Sequence, residues 1–176
     1  MAQLEPQRLP TPHRDPGRDG HDPAAIVVHT TVGTFESVVS WFANPASRVC
    51  AHYLVALQGH LAQFVDERDT ARHAGRVLRP TARLVREREG TSPNLFTVGI
   101  EFEDGGDPGG VDRPDAQYRV GATLIAQVAA RWGIPLDRDH VIGHREVFAA
   151  KECPGNLDVE RLVHEALEAA PSARAR

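Results

Sequence analysis

Lysine is almost absent. Of the 20 lysine and arginine residues in the chain, Lys151 is the one lysine. Cysteine is as scarce, with 2 copies, Cys50 and Cys153, too few for a disulfide scaffold. No apolar run approaches the roughly 20 residues needed to cross a membrane. The first twenty residues (MAQLEPQRLPTPHRDPGRDG) lack the apolar core of a signal peptide. There is no basic run, and the formal charge of -4 argues against a general affinity for nucleic acid. Residues 104–110 (DGGDPGG) lack the Gly-Lys-Ser/Thr of a phosphate loop and read as a flexible loop. No internal repeat is present. These absences predict a protein that is cytoplasmic as synthesised, with no membrane or nucleic-acid partner, and monomeric.

What is there suits one soluble domain. A chain of 176 residues, 41% hydrophobic and 25% charged, can bury a real core. Residues 1–22, rich in Pro, Arg and Asp, read as an irregular arm in which His13 and His21 are solvated; residues 171–176 read as a tail. Between them, 23–170 form the domain. The run 24–28 (AAIVV) is a central strand that delivers His29, Thr30 and Thr31 at its carboxyl end, where open α/β sheets form their sites. Thr34 caps a helix over 35–43 with Val38, Val39 and Phe42 inward. Residues 50–57 and 60–65 form a hairpin around Gln58-Gly59. A polar, arginine-rich excursion follows over 66–93, and loops of that length are commonly functional. Residues 96–102 (FTVGIEF) are a second apolar strand, with Glu101 and Glu103 on one face. A helix runs over 115–132 and stops at Gly133-Ile134-Pro135. Asp158 caps a last helix with Leu162, Val163, Ala166 and Leu167 inward and His164 outward. Alternating strands and helices in this order predict a single-domain α/β fold, a central mixed sheet flanked by helices.

The chemistry concentrates in 139–158 (DHVIGHREVFAAKECPGNLD). A short strand ends at Gly143, a loop follows, and Pro154-Gly155 turns the chain, which can bring His144 and Cys153 onto one point. Imidazole and thiolate suit zinc, and a catalytic zinc site takes three protein ligands and leaves a position open. His140 and His144 cannot share an ion from one strand, because at about 3.3 Å per residue their Cα atoms would lie about 13 Å apart. His52 sits in an apolar strand and reads as a core histidine. His29, at a strand end, is the strongest third ligand. Lys151 lies between the two local ligands, and an ammonium is a compact charge that can meet a single atom where a planar guanidinium cannot.

Taken in order, the segments IVVHTTVG, RVCAHYLV, RHAG, TVGIEFE, DAQY and GHREVFAAKECPG span residues 26–155. Together they resemble the type-2 N-acetylmuramoyl-L-alanine amidases, zinc enzymes that share a fold with amidase-type phage lysozymes, muropeptide-recycling amidases and peptidoglycan recognition proteins. The resemblance implies that His29, His144 and Cys153 hold one Zn2+ and that Lys151 is the catalytic lysine. It implies that Glu101 is the acid/base of the recycling branch and that Thr31, His73 and Asn94 lie near the substrate. Two positions depart from the branches: Ala51 stands where the lysozymes carry a catalytic tyrosine, and Cys153 where recycling enzymes often carry aspartate.

The expected activity is hydrolysis of the amide between N-acetylmuramic acid and L-alanine in peptidoglycan or muropeptides. Either a cell-wall recycling role or a phage endolysin released to the wall would fit it. The alternative is a muropeptide-binding module of the same fold that does not cut. Such modules generally lack the cysteine ligand, which this chain has.

Overall fold

The computed structural model describes residues 3–170. In chain order the elements are β1 (Gln7–Arg8), β2 (Arg14–Asp15), β3 (Ala25–Thr30), α1 (Phe35–Ala43), β4 (Tyr53–Val55), β5 (Leu61–Gln63) and β6 (Thr70–Ala71). Then come α2 (Arg83–Glu87), α3 (Pro93–Phe96), β7 (Thr97–Phe102), α4 (Asp115–Trp132), β8 (Val141–Gly143), a 3₁₀ turn (His144–Glu146) and α5 (Val159–Ala169). Six strands form one mixed sheet in the order β1-β5-β4-β7-β3-β8. Only β4 and β5 are antiparallel, as the hairpin requires; the other neighbours run parallel. β2 and β6 make a separate antiparallel pair.

Side chains alternate across a strand, so β3 and β7 divide their residues between two faces. Ile26 and Val28 of β3, with Val98, Ile100 and Phe102 of β7, pack against α4 and α5 in the main apolar cluster. α4 is built for that contact, with Tyr118, Ala122, Ile125 and Ala129 recurring at helical spacing and all buried. A Cβ on Gly121 would meet the Phe102 ring at 2.4 Å, so a glycine here lets the helix reach the sheet. On the other face two smaller clusters stand apart. One gathers Val38 and Phe42 of α1 onto Leu54 and Ala62, and the other gathers Ala82 and Val85 around Val27, Phe96 and Ile142. His29, His73 and His52, whose rings meet edge to face in turn, lie on that second face.

The helix boundaries follow their caps. Thr34 accepts from Ser37 N at the start of α1, and Asp158 accepts from Arg161 N at the start of α5. Gly133 ends α4 in the left-handed region, φ 67°.

Several expectations are corrected. The arm is not wholly irregular: β1 adds to the main sheet and β2 pairs with β6. His13 is buried, its Nε2 2.7 Å from the Asn44 carbonyl oxygen, because the arm lies across the end of α1. Residues 66–93 are not a bare excursion but hold β6, α2 and the start of α3. Leu167 is 54% exposed, since it falls outside the stripe set by Leu162, Val163 and Ala166. The tail 171–176 lies outside the described residues. No helix among the described residues is long and apolar enough to cross a membrane.

Candidate metal centre

Register brings the site together. In the parallel β3–β7 pair His29 stands beside Glu101, and in the β3–β8 pair Val28 stands beside Gly143, so His144 emerges one step on, next to His29. Cys153 returns from the loop that follows. Arg145 N donates to the Cys153 carbonyl at 2.8 Å, Lys151 N to Phe148 O at 2.9 Å, and Ala149 N to Leu78 O at 3.0 Å. That folding sets the Cys153 sulfur over the end of β3, where Thr30 N donates to Sγ at 3.2 Å.

His29 Nδ1 lies 3.1 Å from His144 Nδ1 and 3.8 Å from Cys153 Sγ, and the three ligand atoms all fall within 4.8 Å of one another. Tetrahedral zinc with Zn–N near 2.0–2.1 Å and Zn–S near 2.3 Å would set N···N at about 3.3 Å and N···S at about 3.6 Å. The His144 Nε2–H donates to the Ala74 carbonyl at 3.1 Å, so its Nδ1 presents a lone pair. A second lone pair at His29 Nδ1 facing it would be repulsive without a cation between them. The donor set therefore fits zinc in spacing, hardness and direction.

Burial favours the neutral form of each of the three donors. His29 is held well below the usual histidine range by burial, then by His144, His73 and Lys151. Burial likewise lowers His144, against the pull of its bond to Ala74. The Cys153 thiol is pushed up to about 12 by burial, with Glu101 adding to it and the Thr30 N–H opposing. A cation among these donors is what would turn that thiol into a thiolate ligand.

Glu101 faces the same cleft, a cavity of about 470 Å³ that His29, His144, Cys153 and Lys151 also line. Its Oε2 is buried with no hydrogen-bond partner among the described residues. Burial, and then the Asp104 carboxylate, push Glu101 up to about 8, while Lys151 opposes. Lys151 is exposed at the rim. Glu103, expected on the face of Glu101, is occupied elsewhere: it accepts from Phe35 N and Leu57 N, both at 2.9 Å.

The three residues expected near the substrate are buried to different degrees and differently engaged. His73 lines the cleft, with Nδ1 3.0 Å from His29 Nε2. The Thr31 hydroxyl donates to the Gly33 carbonyl at 2.9 Å. Asn94 Oδ1 accepts from His73 N at 3.1 Å and Ala74 N at 2.8 Å, holding the loop that contacts both His29 and His144. His52 is a core histidine as expected, fully buried, with Nδ1 accepting from Gly99 N at 2.9 Å.

Sequence reasoning missed the support beneath Cys153. Asp104, expected in a flexible loop, is 1% exposed and takes Thr30 Oγ1 at 2.8 Å and Gly33 N at 3.1 Å. Arg113 Nη2 donates to the same Thr30 hydroxyl at 2.6 Å. Thr30, the residue whose N–H meets the sulfur, is thus clamped from two sides. The signal available was an aspartate two residues beyond an apolar strand, obscured by the glycines that follow it.

The N-acetylmuramoyl-L-alanine amidase family profile matches residues 19–156, most of the chain. The chain belongs to this family. Among relatives, 1,6-anhydro-N-acetylmuramyl-L-alanine amidase AmpD of Salmonella typhimurium is 30% identical over 163 residues, covering 80% of this chain and 78% of that one. N-acetylmuramoyl-L-alanine amidase A of Achromobacter lyticus is 30% identical over 112 residues, 63% of this chain; the match spans 54% of the relative, about half its length. In structure, the amidase fold seen here superposes on an AmpD derivative with a TM-score of 0.73 at 25% identity, covering 93% of this chain and 96% of the other. It also matches AmiD from E. coli, solved with anhydro-N-acetylmuramic acid-L-Ala-D-gamma-Glu-L-Lys, with a TM-score of 0.67 at 23% identity over 81% of this chain and 57% of AmiD.

Proposed function

We propose that the protein is a zinc-dependent N-acetylmuramoyl-L-alanine amidase acting on peptidoglycan or its soluble muropeptides. The observation that carries this is the convergence of three metal-type donors, a buried unpartnered carboxyl and a lone ammonium on one cleft. His29, His144 and Cys153 would hold the ion. When bound, zinc would polarise the scissile carbonyl and make a water acidic enough to attack near neutral pH.

The chain's own residues supply the rest. Glu101 takes a proton from the attacking water and returns it to the departing alanine nitrogen. Burial raises its carboxyl above the usual range and a bound cation would draw it back down, which together set how readily it accepts and releases a proton. Lys151, free to reach over the rim, places its ammonium against the oxyanion that develops on the carbonyl. Ala51 is a buried methyl and can do no proton work, so that work rests on Glu101.

Intact sacculi and soluble anhydro-muropeptides, digested in parallel with zinc-loaded and chelator-stripped protein, test the proposal. The expected product is a free alanine amino terminus, from zinc-loaded protein alone. Greater turnover of soluble fragments would assign a recycling role and greater turnover of sacculi a lytic one. Zinc-loaded protein that binds muropeptides and releases no amine would replace the proposal with a binding module.

A further inference from the structure

The proton positions on the buried histidines can be assigned in sequence, starting from a carbonyl outside the cleft. The Thr97 hydroxyl donates to the Pro93 carbonyl at 2.7 Å, which commits its only proton. Its lone pairs are then left to accept from His73 Nε2, 3.3 Å away. A neutral imidazole carries one N–H, so His73 Nδ1 is bare. That bare nitrogen lies 3.0 Å from His29 Nε2, which must therefore carry the His29 proton. His29 Nδ1 is left as a lone pair pointing at His144 and Cys153.

A second observation fixes the place of the ring. The His73 ring rests on β7 at Gly99, where a Cβ would come within 2.3 Å of His73 Cγ. Glycine inside a strand weakens it and commonly marks a close approach, here that of an imidazole. Thr97, Gly99 and Glu101 alternate along the site face of β7. The first two serve the His73 ring by bond and by space, and the third faces the cleft.

We infer that His73 is a positioning residue for the metal centre: backed by Thr97 and seated on Gly99, it locks His29 in the tautomer whose Nδ1 lone pair faces the other two ligands. His73 therefore acts through His29 and not through the substrate, which departs from what the family resemblance implies for it. The inference rests on the zinc reading above, and its test uses the metal ion alone.

Zinc affinity, read by competition with a chelator of known strength, is measured for the wild type and for His73→Phe, His73→Asn, Thr97→Val and Gly99→Ala. Circular dichroism checks that each is folded. Loss of a partner behind a metal-ligating histidine typically costs 10- to 100-fold in metal affinity. His73→Phe should show a loss in that range and Gly99→Ala a similar one, because the ring loses its seat. His73→Asn should recover most of the affinity, since Oδ1 supplies an acceptor where Nδ1 stood. Thr97→Val should fall between.

Wild-type zinc affinity in a folded His73→Phe variant would overturn the inference and leave His73 as a substrate contact. So would an Asn variant as impaired as the Phe variant. Should His73→Phe not fold, long-range ¹⁵N imidazole spectra of the zinc-loaded wild type decide the matter. They should show Nε2–H on both His29 and His73, and Nδ1–H on His73 would refute the relay. If the wild type binds no zinc at all, the metal reading fails, whereas a wild type that binds zinc with Nδ1–H on His73 defeats the relay alone.

Discussion

The two faces of β7 solve the same packing problem with opposite chemistry. On one face Val98, Ile100 and Phe102 meet α4 and α5, and Gly121 of α4 makes room for the Phe102 ring. On the other face Thr97 and Gly99 meet the long connection between β5 and β7, where Gly99 makes room for the His73 ring, and Glu101 faces the cleft. Each face uses a glycine to admit an aromatic ring. The first ring is a phenyl whose burial stabilises the fold through the hydrophobic effect. The second is an imidazole whose burial costs stability unless every polar atom is matched. Among the described residues, the site face keeps one atom unmatched, Glu101 Oε2. The difference locates function: stability is concentrated on the helix side, and polar atoms held at a cost face the cleft.

Substitutions on the two faces should therefore separate activity from stability. The largest effect belongs to Cys153→Ala, which should lose most bound zinc by elemental analysis and all measurable turnover. Cys50→Ala should keep both, because Cys50 stands outside the group of three donors and its sulfur donates to the His13 carbonyl at 2.8 Å. Equal metal loss in the two variants would mean that the ligand set is wrong. Glu101→Gln should bind zinc normally and lose about 10²- to 10⁴-fold in kcat, the usual span for general acid–base help. Its melting temperature should not fall, since it replaces a carboxyl that has an unpartnered oxygen.

Lys151→Arg keeps the charge but broadens it, and should cost about 10²- to 10³-fold in kcat with zinc content unchanged, the usual loss for one oxyanion donor. Wild-type kcat there would reduce Lys151 to a surface charge. On the helix face, Gly121→Ala should reverse the pattern. Urea unfolding should show a loss of about 1–3 kcal/mol from overpacking against Phe102, with kcat and zinc affinity of the folded fraction unchanged.

The smallest effect is a pH slope. His52 is lowered to about 3 by burial, with the Arg18 guanidinium adding and a bond to the Asp69 carbonyl opposing. An unfolded histidine near 6.5 binds protons that the folded one refuses, so His52 contributes stability that is full above that range and lost as pH falls towards 3. Urea midpoints of the metal-free protein should drop across that window. His52→Asn, which retains an acceptor for Gly99 N, should flatten the slope, and an unchanged slope would remove His52 from the account.

Much of this arrangement was legible from residues with strong local signals. Thr34, Asp158 and Gly133 mark helix ends in the sequence, and the 3.6-residue spacing of Tyr118, Ala122, Ile125 and Ala129 defines α4 without any tertiary help. The apolar run around Ile26 and the His144–Cys153 spacing pointed to one another across more than a hundred residues. The arm was not legible, because strands of two residues such as β1 and β2 have no periodicity to read and their exposed residues are polar. Nor was the division of β3 and β7 into two faces. Both sides of those strands are buried, so the pattern is a continuous run and not an alternation. His73 looked like one histidine in a polar loop, because its bonds to Thr97 and His29 exist only after the loop folds back over the sheet.

The short outer strands have a consequence for how copies of the protein meet. β1 is two residues long and β8 three, and they form the two margins of the six-stranded sheet. A margin that short offers another chain few backbone groups on which to template. Placing its longest strands, β3 and β7, away from both margins shields the most apolar and β-branched stretches from intermolecular pairing. A concentrated solution should therefore resist cross-β association as long as the sheet stays folded, and partial unfolding that frees β3 should remove that protection.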